Sequence, residues 1–178
     1  MKIILLGYMG SGKTGVGRLL AEKLGLPFLD LDHEIIQKEN REIPEIFEAS
    51  GEIYFRKKET EILKQILEKG PAGFVLSTGG GTPCYGNNLQ LMKSREDIRS
   101  VYLKTSLGTL TERLLREKDS RPLISHLGSE EALNDFIRKH LFERTFYYNQ
   151  SDLKVETDQG TPEEIAEEII RKLSLRQQ

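Results

Sequence analysis

The sequence predicts an α/β protein with a five-stranded parallel sheet and helices on both faces. Two observations support this prediction. Five short runs of β-type residues alternate with segments whose apolar residues recur at helical spacing, a pattern typical of a parallel sheet wrapped by helices. A glycine-rich loop of the phosphate-binding type joins the first run to the first helical segment. We therefore expect ligands at the carboxyl ends of the strands.

The predicted elements follow one another closely along the chain. Strands are predicted at residues 3–6, 27–30, 74–77, 101–103 and 153–155. Helices are predicted at residues 13–24, 32–40, 51–69, 106–117, 130–148 and 162–174. The last helix has the clearest start signal, because Thr161 is expected to cap it, Pro162 suits its first position and Glu164 completes a capping box.

The composition is that of an ordinary soluble domain. The chain has 178 residues, of which 37% are hydrophobic and 30% charged, and its formal net charge is −2. This length fits one domain, residues 1–178, with a core large enough to fold alone. The mixed charges offer no basic face for nucleic acid, and no apolar run is long enough to span a membrane. We expect a cytoplasmic protein without a signal peptide, and a monomer is the simplest assembly.

The cysteine content excludes some kinds of structural support. The chain has one cysteine, Cys84. A single thiol forms neither an intramolecular disulfide nor a cysteine-rich zinc site, so stability must come from packing. We interpret Cys84 as a thiol without a chemical role.

Residues 7–14, Gly-Tyr-Met-Gly-Ser-Gly-Lys-Thr, form a complete P-loop motif between a strand and an amphipathic helix. Its glycines let backbone N–H groups surround an anion, Lys13 is expected to reach the outer phosphates, and the Thr14 hydroxyl is a ligand for Mg²⁺. This motif predicts a nucleoside triphosphate site. The predicted contacts in this stretch are Gly10, Ser11, Gly12, Lys13, Thr14 and Gly15.

Two aspartates, Asp30 and Asp32, follow the second predicted strand. In an extended chain their carboxylates, two residues apart, would point to the same face. Magnesium-dependent phosphoryl transfer needs oxygen ligands for the metal's water shell and a group that orients or deprotonates the attacking hydroxyl. One aspartate for each task is the simplest assignment. The alternative is a polar strand end in which Asp32 caps the next helix.

A candidate carboxylate-binding site follows further along the chain. Phe55, Arg56 and Glu59 fall within one helical turn, so Arg56 and Glu59 are expected to pair. Such a pair would hold the guanidinium for bidentate binding of a carboxylate. A surface ion pair with almost no energetic effect is equally compatible with the sequence.

Three consecutive glycines, Gly79, Gly80 and Gly81, follow the third predicted strand. A tight turn usually needs one glycine, and each further glycine costs conformational entropy. We therefore favour a close approach of the backbone to a ligand over a simple turn.

Two segments have no evident packing role and are interpreted as mobile elements. Residues 32–60 add helical material between the second and third strands, and residues 118–129 form a polar, Pro- and Gly-containing segment typical of a lid. In the second segment, Arg121 precedes Pro122 and is a candidate for neutralising charge on a transferred phosphoryl group. Arg144, on a later helix, is a second candidate cation. The alternative for both arginines is a solvated surface charge.

Together these motifs resemble those of the shikimate kinases, in the same order and over most of the chain. The matching positions are the P-loop at 7–14, Asp30 and Asp32, Phe55 with Arg56 and Glu59, Gly79 to Gly81, and Arg121 with Pro122 and Leu123. The resemblance implies a P-loop kinase fold with a substrate-binding helical insertion at 32–60 and a mobile lid at 118–129. It implies ATP- and Mg²⁺-dependent phosphorylation of the 3-hydroxyl of shikimate, in the pathway to chorismate and aromatic amino acids.

The resemblance also implies roles for individual residues. Asp32 would bind the shikimate hydroxyls and act as base or orienting group, and Lys13 and Arg121 would serve the phosphates. Thr14, and Asp30 through water, would bind the Mg²⁺. The implied catalytic residues are Lys13, Asp32 and Arg121. The implied shikimate contacts are Asp32, Phe47, Phe55, Arg56, Gly79, Gly80, Gly81 and Arg144.

Two positions depart from the pattern of the family. The helix with Arg144 continues Thr-Phe-Tyr-Tyr, where the family commonly has proline and leucine before the tyrosine. No arginine is present around residues 159–161, where the family often places one near adenine. Gln159 is the expected ATP contact there, with Arg113 as the alternative.

Other functions were weighed against the same motifs. A gluconate kinase or a nucleoside monophosphate kinase shares the P-loop, but its acceptor does not call for an arginine clamp combined with a triple glycine. A GTPase-type switch normally carries Asn-Lys-x-Asp after a strand, and this tetrapeptide is absent from the sequence. A catalytically silent relative is disfavoured because Lys13, Asp32 and Arg121 are all present.

Overall fold

A computed structural model describes residues 1–118 and 121–175 of the chain. Strands β1 to β5 are Lys2–Leu6, Phe28–Asp30, Phe74–Ser77, Ile98–Lys104 and Leu153–Glu156. They form one parallel sheet in the order β2-β3-β1-β4-β5, which places β1 at its centre. All five predicted strands are confirmed, although β4 begins earlier than predicted.

The helices surround this sheet. Helices α1 to α8 are Lys13–Leu24, Leu31–Glu39, Ile43–Lys69, Asn88–Lys93, Leu107–Arg116, Pro122–Ser125, Glu130–Tyr148 and Pro162–Leu175. The predicted boundaries are confirmed to about one residue, except that α3 begins at Ile43 rather than at residue 51. The short α4 and α6 were not predicted. No helix in the described ranges combines the length and the apolar character needed to cross a bilayer.

The predicted start of α3 was wrong because the helix contains a kink. Gly51 has φ 78° and ψ 170°, values outside the helical region, and it divides α3 into an arm at 43–50 and a longer part at 52–69. Glu42 and Glu45 form a capping box that starts the arm. The sequence pattern before Gly51 therefore belongs to a second helical piece of different direction.

Both faces of the sheet are buried, which explains the continuous apolar run of β1. Ile3 and Leu5 belong to a cluster that includes residues of α1 and α8, whereas Ile4 and Leu6 belong to a cluster that includes residues of α3. Alternate residues of the strand therefore serve opposite layers. This arrangement fixes the carboxyl end of β1, where the P-loop begins.

A third apolar cluster lies outside the two sheet layers. Its buried members are Tyr8, Leu110, Leu114, Ile124, Leu133 and Ile137. The interpretation of residues 118–129 as a segment without a packing role is therefore wrong at Ile124, which is fully buried. Asp119 and Ser120 of that segment lie outside the described residues.

The contact between α1 and β2 leads to a first prediction. A Cβ added to Gly17 would lie 2.6 Å from a ring carbon of Phe28 and 3.1 Å from a methyl carbon of Leu5. We expect Gly17→Ala to lower the free energy of unfolding by about 1–3 kcal/mol, because the core has no room for the methyl group. Urea unfolding followed by circular dichroism measures this change.

Gly108→Ala is the matched control for this prediction. Gly108 is an exposed glycine in α5, and a Cβ added there meets no atom within 4 Å. The control should be neutral or stabilising by up to about 1 kcal/mol. Equal stability of Gly17→Ala and the wild type would show that α1 and β2 are not in such close contact.

Candidate active site

The P-loop connects β1 to α1 and is shaped by three glycines. Gly7, Gly10 and Gly12 have φ values of 152°, 79° and 89°, in the region that favours glycine. Lys13 is buried, and its Nζ donates hydrogen bonds to the carbonyl oxygens of Gly7 and Tyr8 at 2.8 and 2.9 Å. The lysine therefore contacts the loop that precedes it.

Burial changes the acidity of this lysine. Desolvation lowers the pKa of Lys13 to about 8, although the nearby carboxylates of Asp32 and Asp30 act in the opposite direction. Negative charge brought close to the ammonium would favour its protonated form. The loop is therefore suited to bind an anion next to the Lys13 ammonium.

Ser11 gives separate support for an anion at this loop. Its hydroxyl is buried and makes no hydrogen bond within the described part of the chain. Buried hydroxyl groups almost always have a partner, so this one calls for a ligand or a water. A phosphate oxygen at the start of α1 satisfies such a donor.

The two aspartates do not share an extended strand. β2 ends at Asp30 and α2 begins at Leu31, so Asp32 lies in the first helical turn and the predicted extended geometry is wrong. The reason is that Asp30 itself caps α2, with Oδ1 accepting from the backbone N–H groups of Asp32 and His33 at 3.1 and 3.4 Å. The alternative in which Asp32 is the cap is wrong as well.

Asp30 also contacts the P-loop. The Thr14 hydroxyl donates to its Oδ2 at 3.2 Å. A hydroxyl and a carboxylate oxygen are hard ligands of the kind that Mg²⁺ prefers, usually while keeping several waters. No group of three or more His, Cys, Asp or Glu side chains in residues 1–118 and 121–175 could form an all-protein cage. The donor set therefore fits a Mg²⁺ held mainly by phosphates and water.

The surroundings of Asp32 change its acidity. Burial, together with the neighbouring carboxylates of Asp30 and Glu59, raises the pKa of Asp32 to about 6 against the opposing effect of Lys13 and Arg56. A carboxylate that titrates near neutral pH is suited to general base catalysis.

Arg56 is held by two carboxylates of its own helix. Its Nη1 donates to Glu59 Oε2 at 2.9 Å and its Nε donates to Glu52 Oε1 at 3.3 Å. Glu59 is fully buried, and its second oxygen accepts from the Thr82 hydroxyl at 2.7 Å. The predicted pairing is confirmed, and the alternative of a surface ion pair is wrong because Glu59 has no exposed surface.

The triple glycine allows close contact with these groups. A Cβ added to Gly79 would lie 3.2 Å from Asp32 Oδ1, and one added to Gly81 would lie 3.0 Å from Arg56 Nη2. None of the glycines 79–81 has a positive φ. The requirement for glycine therefore comes from the space that functional side chains occupy and not from turn geometry.

Helix α7 brings further groups to the same turn. A Cβ added to Gly80 would lie 3.6 Å from Arg144 Nη1, and the Gly80 carbonyl accepts from the Tyr148 hydroxyl. The Arg144 guanidinium lies 5.4 Å from the centre of the Tyr8 ring. The Tyr8 hydroxyl is hydrogen bonded to His140 Nδ1 at 2.9 Å. α7 therefore contacts both the glycine turn and the P-loop.

One cavity of about 480 Å³ joins the P-loop to the aspartates and the glycine turn. Its lining consists of residues 9–16, Asp30, Asp32, residues 77–80, Arg113, Glu117, Arg121, Gly160, Pro162 and Ile165. Asp32 faces the same space as Lys13. The predicted nucleotide site and three predicted acceptor residues, Asp32, Gly79 and Gly80, thus share a single cavity.

Several predicted substrate residues do not line this cavity. Among the residues that the structure describes, these are Phe47, Phe55, Arg56, Gly81 and Arg144. The Phe47 and Phe55 ring centres are 4.6 Å apart across the kink, with Phe55 in the core and Phe47 partly exposed. Their contact with substrate stays a prediction.

The arginines near the nucleotide site already have partners. Arg121 donates from Nε to the Glu117 carboxylate at 2.8 Å. Arg113 donates to the carbonyl oxygens of Gly10 at 3.3 Å and Thr157 at 2.9 Å, which ties the P-loop to the segment after β5. The ATP contact predicted for Gln159, an exposed residue, remains a prediction.

Sequence reasoning missed some groups that complete the site. Glu52 is four residues before Arg56, so helical spacing alone indicates that the two can pair. No local pattern indicates the contact of Thr82 with Glu59 or that of Tyr85 with Arg56, because each partner is distant in sequence.

Comparison with known proteins gives the family of this chain. The shikimate kinase family model matches residues 9–174. The chain belongs to the shikimate kinase family. The shikimate kinase of Flavobacterium psychrophilum is 47% identical over 168 residues, which cover 94% of this chain and 96% of the relative. That of Flavobacterium johnsoniae is 48% identical over 169 residues, covering 95% and 96%.

Solved structures share the fold. The shikimate kinase from Acinetobacter baumannii, in complex with shikimate, is 38% identical, with a TM-score of 0.86, and covers 98% of this chain and 93% of its own. A gluconokinase from Sinorhizobium meliloti is 21% identical, with a TM-score of 0.61, covering 97% and 91%. The second likeness concerns the fold alone. The predicted P-loop kinase fold is confirmed.

The raised pKa of Asp32 leads to a second prediction. The native state holds this proton more tightly than the unfolded chain, whose value is 3.8, so the ionised carboxylate destabilises the protein above a pH of about 6. We expect Asp32→Asn to raise the free energy of unfolding at pH 8 by about 1–3 kcal/mol. The gain should shrink as the pH falls from 6 towards 4, where the wild-type carboxyl is protonated. Urea unfolding at pH 8 and pH 5 measures the difference.

Asp135→Asn, at an exposed position of α7, is the control and should change stability by less than about 0.5 kcal/mol. Destabilisation of Asp32→Asn at pH 8 would show that the carboxylate is a structural group whose loss the fold does not tolerate.

Proposed function

We propose that this protein transfers the γ-phosphoryl group of ATP to the 3-hydroxyl of shikimate, giving shikimate 3-phosphate and ADP. This reaction lies in the pathway to chorismate and the aromatic amino acids. The observation that carries the proposal is the single cavity bounded by the P-loop, by Asp32 and by the glycine turn. The family to which the chain belongs, and the shikimate complex of its relative from Acinetobacter baumannii, support shikimate as acceptor.

The donor half of the reaction rests on the P-loop. Lys13 would exchange its hydrogen bonds with the Gly7 and Tyr8 carbonyls for the phosphates of ATP. Arg121 would leave Glu117 and neutralise charge on the transferred group. Thr14 and, through water, Asp30 would hold Mg²⁺, which supplies further charge neutralisation when bound. These groups stabilise negative charge where it develops.

The acceptor half rests on Asp32 and the arginines. Shikimate is a cyclic polyol with a carboxylate, and Arg56, beside Gly81, and Arg144, beside Gly80, would bind that carboxylate. Asp32 would bind the hydroxyls and accept the proton of the attacking one, for which a pKa of about 6 is well matched. The rings of Phe47 and Phe55 would cover the apolar face of the substrate.

We further propose that the protein acts as a monomer in the cytoplasm. The helices of this chain cover both faces of its own sheet, so the core needs no second copy to bury it. The assembly state is measured by sedimentation at assay concentration.

An acceptor panel tests the proposed reaction. Release of ADP, coupled to NADH oxidation, is measured with shikimate, gluconate and AMP at equal concentrations. We expect turnover with shikimate that exceeds the other two by at least about tenfold, because only shikimate combines a carboxylate with a ring of hydroxyls. A preference for gluconate or AMP would overturn the assignment, and nucleotide binding without any acceptor-dependent turnover would favour a switch.

Replacement of Lys13 tests the donor half. Lys13→Ala should lower kcat by about 10² or more, because charge stabilisation in the transition state is lost. At pH 8, ATP binding to the wild type should also take up protons, since phosphate raises a Lys13 pKa that starts at about 8. Calorimetry in buffers of different ionisation enthalpy measures this uptake.

Lys64→Ala, on the exposed side of α3, is the control and should keep both properties. The same proton uptake in wild type and Lys13→Ala would remove Lys13 from the phosphate site.

A further inference from the structure

Tyr85 lies against the guanidinium of Arg56. The distance from Arg56 Cζ to the centre of the Tyr85 ring is 3.9 Å, which is van der Waals contact. The next aromatic ring, that of Phe55, is 5.1 Å away. Tyr85 directly follows the 3-10 turn Thr82–Cys84, and this turn follows the triple glycine. The short connection places the ring next to Arg56.

Only some of the N–H groups of the same guanidinium have hydrogen-bond acceptors. Nε donates to Glu52 and Nη1 to Glu59, and the remaining N–H groups have no acceptor within residues 1–118 and 121–175. These N–H groups, on Nη1 and Nη2, are the ones available to a ligand carboxylate. The two carboxylates therefore fix the guanidinium in its plane, but they do not cover its faces.

The hydroxyl of Tyr85 lies near Glu52, one of the two partners of Arg56. Burial and the neighbouring Glu52 carboxylate raise the pKa of Tyr85, and the same carboxylate accepts from Arg56 Nε. Glu52, Arg56 and Tyr85 are thus neighbours that join α3 to the turn after β3. Rotation of the guanidinium would break the ring contact together with the hydrogen bond to Glu52.

We propose that Tyr85 is a positioning residue for the acceptor: its ring holds the Arg56 guanidinium in the orientation that binds the shikimate carboxylate. The inference rests on the proposed role of Arg56 in shikimate binding. Tyr85 acts through Arg56 and makes its contribution before substrate arrives, because an arginine already ordered loses less side-chain entropy on binding. Its removal therefore weakens acceptor binding and leaves the donor half unchanged.

Steady-state kinetics of Tyr85→Leu and Tyr85→Phe test the proposal. Tyr85→Leu should raise KM for shikimate by about 3- to 20-fold, the range expected for a cation–π contact with an ordered arginine. KM for ATP, and kcat at saturating shikimate, should stay within about twofold of the wild type. Tyr85→Phe keeps the ring and loses only the hydroxyl, so its effect should be smaller.

Tyr54 provides matched controls. It also contacts a cation, Lys58, at 5.9 Å and donates to a carboxylate, Glu39, at 2.7 Å, but it has no contact with Arg56. Tyr54→Leu and Tyr54→Phe should therefore leave KM for shikimate unchanged. An equal rise in the Tyr54 and Tyr85 variants would show a general loss of structure and overturn the proposal.

A double-mutant cycle separates positioning from packing. In an Arg56→Lys background, Tyr85→Leu should raise KM for shikimate by less than about twofold, because the group on which Tyr85 acts is gone. Additive effects of the two changes would overturn the proposal. A drop in kcat with unchanged KM for shikimate would overturn it as well.

A spectroscopic readout keeps the test independent of activity. The Arg56 Nε–H proton, assigned by its loss in Arg56→Lys, should shift in Tyr85→Leu as the ring current is removed, and it should keep its position in Tyr54→Leu. An unchanged position in Tyr85→Leu would overturn the ring contact.

If the wild type gives this signal but does not phosphorylate shikimate, the proposed reaction fails while the contact stands. If Tyr85→Leu does not fold, Tyr85→Met, which also lacks the ring, replaces it in the kinetics and in the cycle, and no rise in its KM for shikimate would overturn the proposal.

Discussion

The carboxylate of Glu59 is buried, and much of the acceptor side is arranged around it. A buried carboxylate needs hydrogen-bond donors, and removal of one partner from a buried pair typically costs about 3–5 kcal/mol. Arg56 satisfies one oxygen and the Thr82 hydroxyl the other. The first partner belongs to α3 and the second to the turn after β3. The requirement to satisfy Glu59 therefore positions the helix, the turn and the arginine relative to one another.

The same turn determines how the two halves of the site meet. Gly79 leaves room for Asp32, Gly81 for Arg56 and Gly80 for the P-loop backbone at Met9, so one short stretch of backbone lies beside a carboxylate, a cation and the phosphate loop. Asp32 lies next to the glycine turn because Asp30 is both the last residue of β2 and the N-cap of α2. The parallel sheet brings these loops together, since the carboxyl ends of β1, β2 and β3 lie at one edge.

Patterns local in sequence predicted most of this architecture. The strands and helices follow from periodicity, and the P-loop from a motif in which every position has a mechanical role. Asp30 and Asp32 were identified as a pair, but their geometry was wrong, because strand and helix are adjacent there and period alone does not locate the boundary between them. The arm before Gly51 was missed for a related reason, as one glycine changes the direction of the helix without changing its composition.

Contacts between distant segments were beyond local patterns. No spacing rule connects the partners of three such contacts, which are those of Thr82 with Glu59, of Tyr85 with Arg56 and of Tyr8 with His140. Burial was equally inaccessible for Ile124, one of three aliphatic residues in a mostly polar segment. Such contacts depend on how the helices pack over the sheet, and they became visible only when the three-dimensional arrangement was known.

The third apolar cluster has a consequence for how stability is distributed. It is assembled from Tyr8 of the P-loop and from α5, α6 and α7, and it shares no buried residue with the two layers that enclose the sheet. A separate cluster can open as a unit of its own, at a lower free energy than global unfolding. We therefore expect residues around Ile124 to detach and return while the sheet stays intact. Because Tyr8 belongs to the cluster, each such opening would also disturb the P-loop.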